Sequence, residues 1–452
     1  MICHAFPPTG GPGVQRSVKF AKYLPRFGWR PYIWSASGVR GLPCDPTLVS
    51  DVPECAIRRS LPVFEWSSAV RDWGEAVRRR VGWNSQTGRI TEAATWRVER
   101  MLRRLGSQCV PDDCLTWALR SYGPLCRWVR REGIHAVYST FSPASNHLLG
   151  LLLKSTTARL WVADYRDLWT DDHTGAASRC RRDRINIRLE DRILGAADAV
   201  ISVSDRHTRT LQRRLHGAHA GKFHTITNGV DLDDYERIAR RTGSYLFDDL
   251  AAPFRLTFVG HCIRLRFPPE IRQGLDRFRH CARAQRLPIR FRVVGLVSSD
   301  LKPWLDSWGC DAEMTGYVDH DRALEEMTRA STLLLTIPRQ ASGETTVPDP
   351  SAKLFEYLGS RRHILLAGER DTMAARIITD CQAGTVCPPE AGPLADALLE
   401  QARDWSRGRR GTGCPPDKLA PYTRQATASE LARVLDALVP PTSVASDPPH
   451  VG

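Results

Sequence analysis

Four segments of the chain combine residue types able to grip an anion or a hydroxyl-rich ligand. The first is Gly10-Gly11-Pro12-Gly13, followed by Val14, Val18, Phe20, Ala21 and Leu24 at helical spacing. Glycines ahead of a helix let the backbone approach a ligand closely, and the free N–H groups and dipole of the helix start attract an anion such as a diphosphate. Such turns also serve purely structural ends. The second segment is Trp161-Val162-Ala163-Asp164-Tyr165-Arg166-Asp167-Leu168-Trp169, an apolar strand that ends in alternating charges. The third, Ile226-Thr227-Asn228-Gly229-Val230-Asp231, reads as a strand and then a turn in which Asn-Gly supplies positive φ. The fourth runs from Pro348 to Leu358. Its Pro350 and Ser351 mark a helix start, and Lys353 and Glu356 fall three residues apart on one face. An exposed ion pair would explain that spacing and contribute only tenths of a kcal/mol. The functional alternative places Lys353 near phosphate and has Glu356 accept hydrogen bonds from ribose hydroxyls.

The elements expected around these segments alternate β-branched or apolar runs with helical patterns, the mark of parallel α/β units. Strands are predicted at 32–35, 136–139, 160–163, 199–203 and 224–227, with helices at 147–154 and 187–194. The rhythm then restarts with strands at 255–259, 289–294, 333–337 and 363–367 and helices at 271–284, 352–358 and 391–403. Two successive blocks of this kind imply two doubly wound domains, whose ligands lie outside the carboxyl ends of the strands. The boundary is expected between Asp231 and Pro253, giving domains 1–235 and 236–422. A helix is expected at 423–438, and a Pro/Ser-rich, disordered tail at 439–452. Residues from about 40 to 130 fit the rhythm poorly. Within them Trp66, Val70, Trp73, Val77 and Val81 recur at helical spacing. From Trp66 to Leu105 nine arginines face four acidic residues, 9 − 4 = +5. A basic helix with tryptophan on its apolar face suits an anionic membrane surface, or an ordinary packed helix with a solvated face.

Composition narrows the classes. At 452 residues, 42% apolar and 25% charged, the chain reads as a soluble two-domain protein, and no apolar run approaches the roughly 18 residues of a membrane span. Its start has no charged segment followed by an apolar run, so no secretory signal is expected. Thirteen cysteines without a CxxC pair speak for reduced thiols in a cytoplasm rather than a disulfide framework or a zinc site. The net charge of +14 suits an anionic partner, but no zinc finger, RNP motif or helix-turn-helix points to nucleic acid.

Taken in order, "FPPTGGPGVQRSVKFAKYLPRFGW", "STFSPASNHLLGLLLK", "ADYRDLWTDD", "ADAVISVS", "ITNGVDLDDY", "FVG" and "PSAKLFEYL" resemble bacterial glycosyltransferase family 4. The resemblance covers nearly the whole chain except about 40–105 and the tail. It implies a GT-B fold, two Rossmann-like domains facing a cleft, and sugar transfer with retention from a nucleotide-diphospho-sugar to a glycan or polyprenyl-linked acceptor. No metal and no cofactor are implied; the cytoplasmic setting follows from the thiols, and peripheral contact at the inner face of the membrane is the expectation that the basic Trp66–Val81 stretch raises beside that of an ordinary packed helix. By position, the donor-side residues would be Gly11, Gly13, Asn228, Gly260, Arg266, Lys353 and Glu356, with Arg266 and Lys353 neutralising phosphate. His147, Asp164 and Asp167 would lie near the reacting sugar. The chain departs from the family at Pro348, where a second Glu often stands eight residues before Glu356. It also leaves only Met1–Ala5 for the family's first strand, so that strand is expected to be clipped and its neighbours short of ladder hydrogen bonds. A nucleotide-sugar 2-epimerase of the same fold and a non-catalytic polyanion-binding protein are the alternative readings.

Overall fold

The structure is a computed structural model that describes residues 1–39, 44–52, 55–60, 109–170, 181–245, 252–337 and 352–439. The chain divides into two compact units, one of residues 1–227 and 428–452, the other of residues 228–427. The division at Thr227/Asn228 precedes the expected boundary, because the helix Leu232–Thr242 packs Tyr235 and Ile238 into the core of the second unit. The final helix, Arg424–Leu438, spans the residues expected of it. Its Ala428, Leu431, Ala432 and Leu435 belong to the first unit's core, beside Phe20, Tyr138 and Ile226.

In the first unit β1 (Tyr32–Ala36) pairs in parallel with β2 (Ala56–Ser60). The strands β3 (Ala136–Phe141), β4 (Leu160–Tyr165), β5 (Ala199–Ser202) and β6 (Phe223–Thr225) follow side by side, also parallel. Between β1 and β3 runs the segment Met1–His4. Cys3 N–H donates to Trp34 O at 3.0 Å, Ile2 N–H to Tyr138 O at 2.7 Å, and Ala36 N–H to His4 O at 2.9 Å. The slot expected to lack a ladder is therefore bonded on both sides. Strand and helix form where the rhythm faltered: β2 and the helix Leu115–Arg131 occupy part of the 40–130 stretch. That helix carries Gly123 and Pro124 in its interior, residues that speak against a helix in sequence, while it buries Trp117, Leu125 and Trp128 at helical spacing. The stretch 66–81 and the tail beyond 439 lie outside the described residues.

The second unit holds β7 (Phe254–Val259), β8 (Ile289–Val294), β9 (Ala312–Met314), β10 (Thr332–Thr336), β11 (His363–Ala367) and β12 (Gly384–Cys387). All are parallel, in the spatial order β12-β11-β10-β7-β8-β9. The winding reverses beside β7, since β8 lies on one side of it and β10 on the other. Such a switch point opens a crevice at the strands' carboxyl ends. In the first unit the corresponding reversal lies at Met1–His4, between β1 and β3. β10 and β11 are buried at every position, as interior strands of a parallel sheet covered on both faces require.

Candidate functional site

Each unit places sequence-singled residues at its own switch point. In the second unit β7 ends in Val259 and the chain turns at Gly260, whose φ of 124° belongs to glycine. Gly295, φ 129°, ends β8 in the same manner, and a Cβ there would lie 2.5 Å from Gly260 O. Two backbones thus approach as closely as only glycines allow. Over this turn comes the helix Ala352–Gly359. Its Tyr357 is buried and clamps the helix to the sheet, accepting from Val259 N–H at 2.9 Å and donating to Leu334 O at 3.3 Å. Tyr235 donates to Glu356 O at 2.5 Å, and Phe355 packs on Tyr422 with ring centroids 5.8 Å apart.

The clamp sets the position of Lys353. Its Nζ lies 4.3 Å from the centre of the Phe258 ring, and its Cε would be 3.0 Å from a Cβ on Gly260. Burial, and then the neighbouring Arg266 guanidinium, bring the Lys353 ammonium down to about 7. The half-buried Arg266 enters from the turn after β7. Glu356 lies one helical turn from Lys353 with its carboxylate about a quarter exposed, 3.9 Å from His320 Nδ1. No carboxylate among the described residues makes an ion pair with Lys353 or Arg266. Gly260, Arg266, Lys353 and Glu356, spread over nearly a hundred positions of sequence, thus meet at one strand end. Two basic groups crowded against glycine backbone, with no ion-paired carboxylate among the described residues, have the chemistry to receive an anion such as phosphate. Pro348, Glu344 and Asp349 lie outside the described residues, as do Pro350 and Ser351.

In the first unit the helix Pro12–Tyr23 starts from Gly11, φ 108°, with no side chain capping it. The Arg166 guanidinium lies so close to Gly13 that a methyl group there would collide with it. Arg166 is held by donating to Phe141 O at 2.6 Å and Ser142 O at 3.1 Å, at the end of β3. Asp167, next along the loop, is exposed. Gly11, Gly13 and Arg166 therefore line one helix start, with Asp167 on the same loop.

Two of the residues expected near the reacting sugar have different surroundings. Asp164 is fully buried, and its carboxylate is taken up within the fold. Arg16 reaches it from the helix in two bonds of 2.9 Å, Tyr138 donates at 2.5 Å and Thr140 at 3.3 Å. Arg16 also donates to Ile226 O and Thr227 O, at 2.9 and 2.8 Å. The pair ties helix, β4 and the end of β6 together; Asp164 is a positioning residue. His147 is likewise buried in the core, 4.7 Å from the Tyr165 ring, and shares a 2.8 Å hydrogen bond with Ser139 Oγ. Burial lowers its pKa to about 3, so it stays neutral. Asn228 is half-buried where the second unit begins. The Gly229 after it admits the chain at Tyr422, whose carbonyl would lie 2.8 Å from an added Cβ.

Arg16 and Gly295 were not singled out from sequence, and Arg166 and Tyr357 lay within singled-out segments without a role of their own. For Arg16 the signal was a charge on the buried side of an apolar helix. For metals, Asp112, Asp113 and Cys114 bring ligand atoms within 4.8 Å of one another. Asp112 is committed, accepting from Cys114 N–H, Ser145 N–H and Ser145 Oγ at 3.0, 2.9 and 2.5 Å. It caps the Ser145–Thr157 helix. The twelve described cysteines are free thiols. No helix among the described residues is long and apolar enough to cross a membrane.

Two parallel doubly wound units define the GT-B fold. The HepE protein of Anabaena in complex with UDP has it, at 12% identity and a TM-score of 0.57 over 96% of this chain and 98% of that one. WaaG, a glycosyltransferase involved in lipopolysaccharide biosynthesis, matches at 13% identity and a TM-score of 0.50, covering 96% and 98%. A putative UDP-N-acetylglucosamine 2-epimerase from Listeria monocytogenes matches at 9% and 0.52, covering 94% of each chain. At the level of sequence, no curated protein matches. Residues 13–234 match Glycosyltransferase Family 4.

Proposed function

We propose that the chain is a retaining, metal-independent glycosyltransferase that moves a hexose-type sugar from a nucleoside-diphosphate donor to a glycan or lipid-linked acceptor. Its setting is the cytoplasmic synthesis of cell-surface polysaccharide or glycoconjugate. The observation that carries the reading is the Lys353–Arg266 pair at Gly260, with which no carboxylate among the described residues forms an ion pair, and Glu356 one turn away. As the bond from the anomeric carbon to the donor phosphate breaks, its electron pair leaves negative charge on the departing diphosphate. Two fixed cations stabilise that charge where a divalent ion would otherwise be needed. Glu356 offers two acceptor oxygens to a ribose diol. The Gly11–Gly13 turn with Arg166 and Asp167 serves the acceptor side. Asp164 and His147 hold that turn's surroundings in place without touching the sugar. HepE was crystallised with UDP, so uridine nucleotides are the first donors to try.

The decisive experiment presents purified protein with UDP-, GDP- and ADP-sugars and follows thermal shift, then nucleotide release with candidate acceptors, with and without EDTA. Glu356→Ala should remain folded and lose donor affinity by about 5–150-fold, the equivalent of 1–3 kcal/mol for stranded hydroxyls. Normal donor affinity in that variant would remove the ribose role. The likeness to an epimerase supports the second reading. An isomerised donor with no new glycosidic bond would establish it in place of transfer.

A further inference from the structure

We infer, on the reading that Glu356 meets the donor's ribose, that His320 is a positioning residue for the Glu356 carboxylate. The line Asp234–His320–Glu356 then lets the site tell a ribonucleotide from its 2′-deoxy counterpart. All three residues belong to the second unit. Asp234 lies in the first turn of the helix Leu232–Thr242, and His320 is the first residue of the helix His320–Thr328. Glu356 comes from a third element, the helix Ala352–Gly359.

The backbone of Glu356 is fixed by Tyr235, which donates to its carbonyl at 2.5 Å. Its carboxylate, by contrast, ends a long, rotatable side chain. Ordering such a chain on a ligand costs affinity unless the fold has already restricted it. His320 supplies that restriction. Its Nδ1 lies 3.9 Å from Glu356 Oε1 and its Nε2 3.7 Å from Asp234 Oδ2, so the ring spans the two acids. Asp234 is a firm anchor for the far side of the ring. It is buried, and its other oxygen accepts from Arg237 at 2.9 Å, while Arg237 also donates to Asp321 at 2.6 Å. A binding side chain backed in this way by a second, well-held residue keeps its geometry.

With a hydrogen on Nδ1 the ring offers Glu356 an N–H, and with one on each nitrogen it donates to both acids. Both separations are those of an ion pair rather than a closed hydrogen bond, and a ligand that draws the carboxylate in tightens them. His320 takes up one side of the carboxylate at Oε1 and leaves the other to two neighbouring hydroxyls. A 2′,3′-diol satisfies it, whereas a 2′-deoxyribose leaves an acceptor unmatched. Lys353 and Arg266 serve the phosphates independently of this line, so its loss should show at the ribose hydroxyls.

The test is calorimetric binding of UDP, GDP and ADP, and of their 2′-deoxy counterparts, to the full chain, which needs no acceptor. The parent should bind its preferred ribonucleotide about tenfold or more above the deoxy form, the effect of one hydrogen bond to a charged acceptor. His320→Leu should lower that ratio about three- to tenfold, chiefly by weakening the ribonucleotide. His320→Asn, whose amide nitrogen can stand where Nδ1 stands, should keep most of it. A histidine that served the fold alone would lower both affinities together and leave the ratio unchanged. Melting temperatures verify that the variants fold, and His320→Ala takes the place of the leucine variant if that one does not. An unchanged ratio in His320→Leu, beside a collapsed ratio in Glu356→Ala, would overturn the positioning role and leave the ribose reading standing. An unchanged ratio in Glu356→Ala, or a parent that prefers no ribonucleotide to its deoxy form, would overturn both.

Discussion

Replacing Lys353 by methionine should make the protein more stable and the donor site worse. The ammonium's pKa falls from 10.5 to about 7, chiefly through burial. Between those values the unfolded chain holds a proton that the folded chain has released, so stability climbs as pH rises through the window. Below pH 7 the folded state carries the charge at full cost. At about 1.4 kcal/mol per unit, that cost at pH 7 has an upper bound of about 4 kcal/mol. Because the side chain keeps some contact with water, we expect Lys353→Met to recover about 1–3 kcal/mol. For a unit of this size that is about 2–4 °C of melting temperature per kcal/mol. The climb in stability between pH 7 and 10 should flatten in the variant. The stem still covers Phe258, so packing changes little, while the phosphate contact is lost. A charge-assisted hydrogen bond contributes about 1.5–3 kcal/mol, so affinity for a nucleotide-sugar should fall about 10–150-fold. Thermal melts across pH and calorimetric donor titrations read the two effects separately. A variant that melts no higher than the parent at pH 7 refutes the uncompensated buried charge. A variant with parental donor affinity refutes the phosphate contact.

Other outcomes follow from the first unit. Arg16→Met, or Asp164→Asn, should cost about 3–5 kcal/mol in urea denaturation, because each strands one charge of a buried pair. The double substitution should be less harmful than the sum, which identifies the pair as structural. His147, with its pKa lowered from 6.5 to about 3, stabilises the fold fully above pH 6.5. That contribution is lost as pH falls toward 3, so urea midpoints at pH 7 and 4 should differ less in His147→Gln. No step in the pH–rate profile between 5 and 8 should vanish in that variant. Gly13→Ala should displace Arg166 and lower turnover more than stability, as steady-state kinetics beside a melting curve will tell. EDTA should leave turnover unchanged, and its abolition with restoration by magnesium or manganese would contradict the cation pair's role.

The two α/β blocks were legible in the residues because short β-branched or apolar runs alternate with helical patterns. The runs 363–367 and 289–294 became β11 and β8 without change of limits. The glycine turns and the Lys353–Glu356 spacing were also legible, since each depends on neighbours a few positions away. Strand order, by contrast, depends on which runs pair across hundreds of residues, and no local pattern encodes it. That order puts Gly260 at the switch point and brings Arg266 and Lys353 together. The same applies to Asp164: in sequence it is a charge at a strand end, equivalent to Asp167. The fold separates them because Arg16, 148 positions earlier, closes over one carboxylate and leaves the other in water. His147 was legible as polar, but its burial was settled by Phe141, Trp161 and Tyr165 from two strands. The residues set which chemistry could occur in this chain; burial and long-range pairing decided which side chains remain available to perform it.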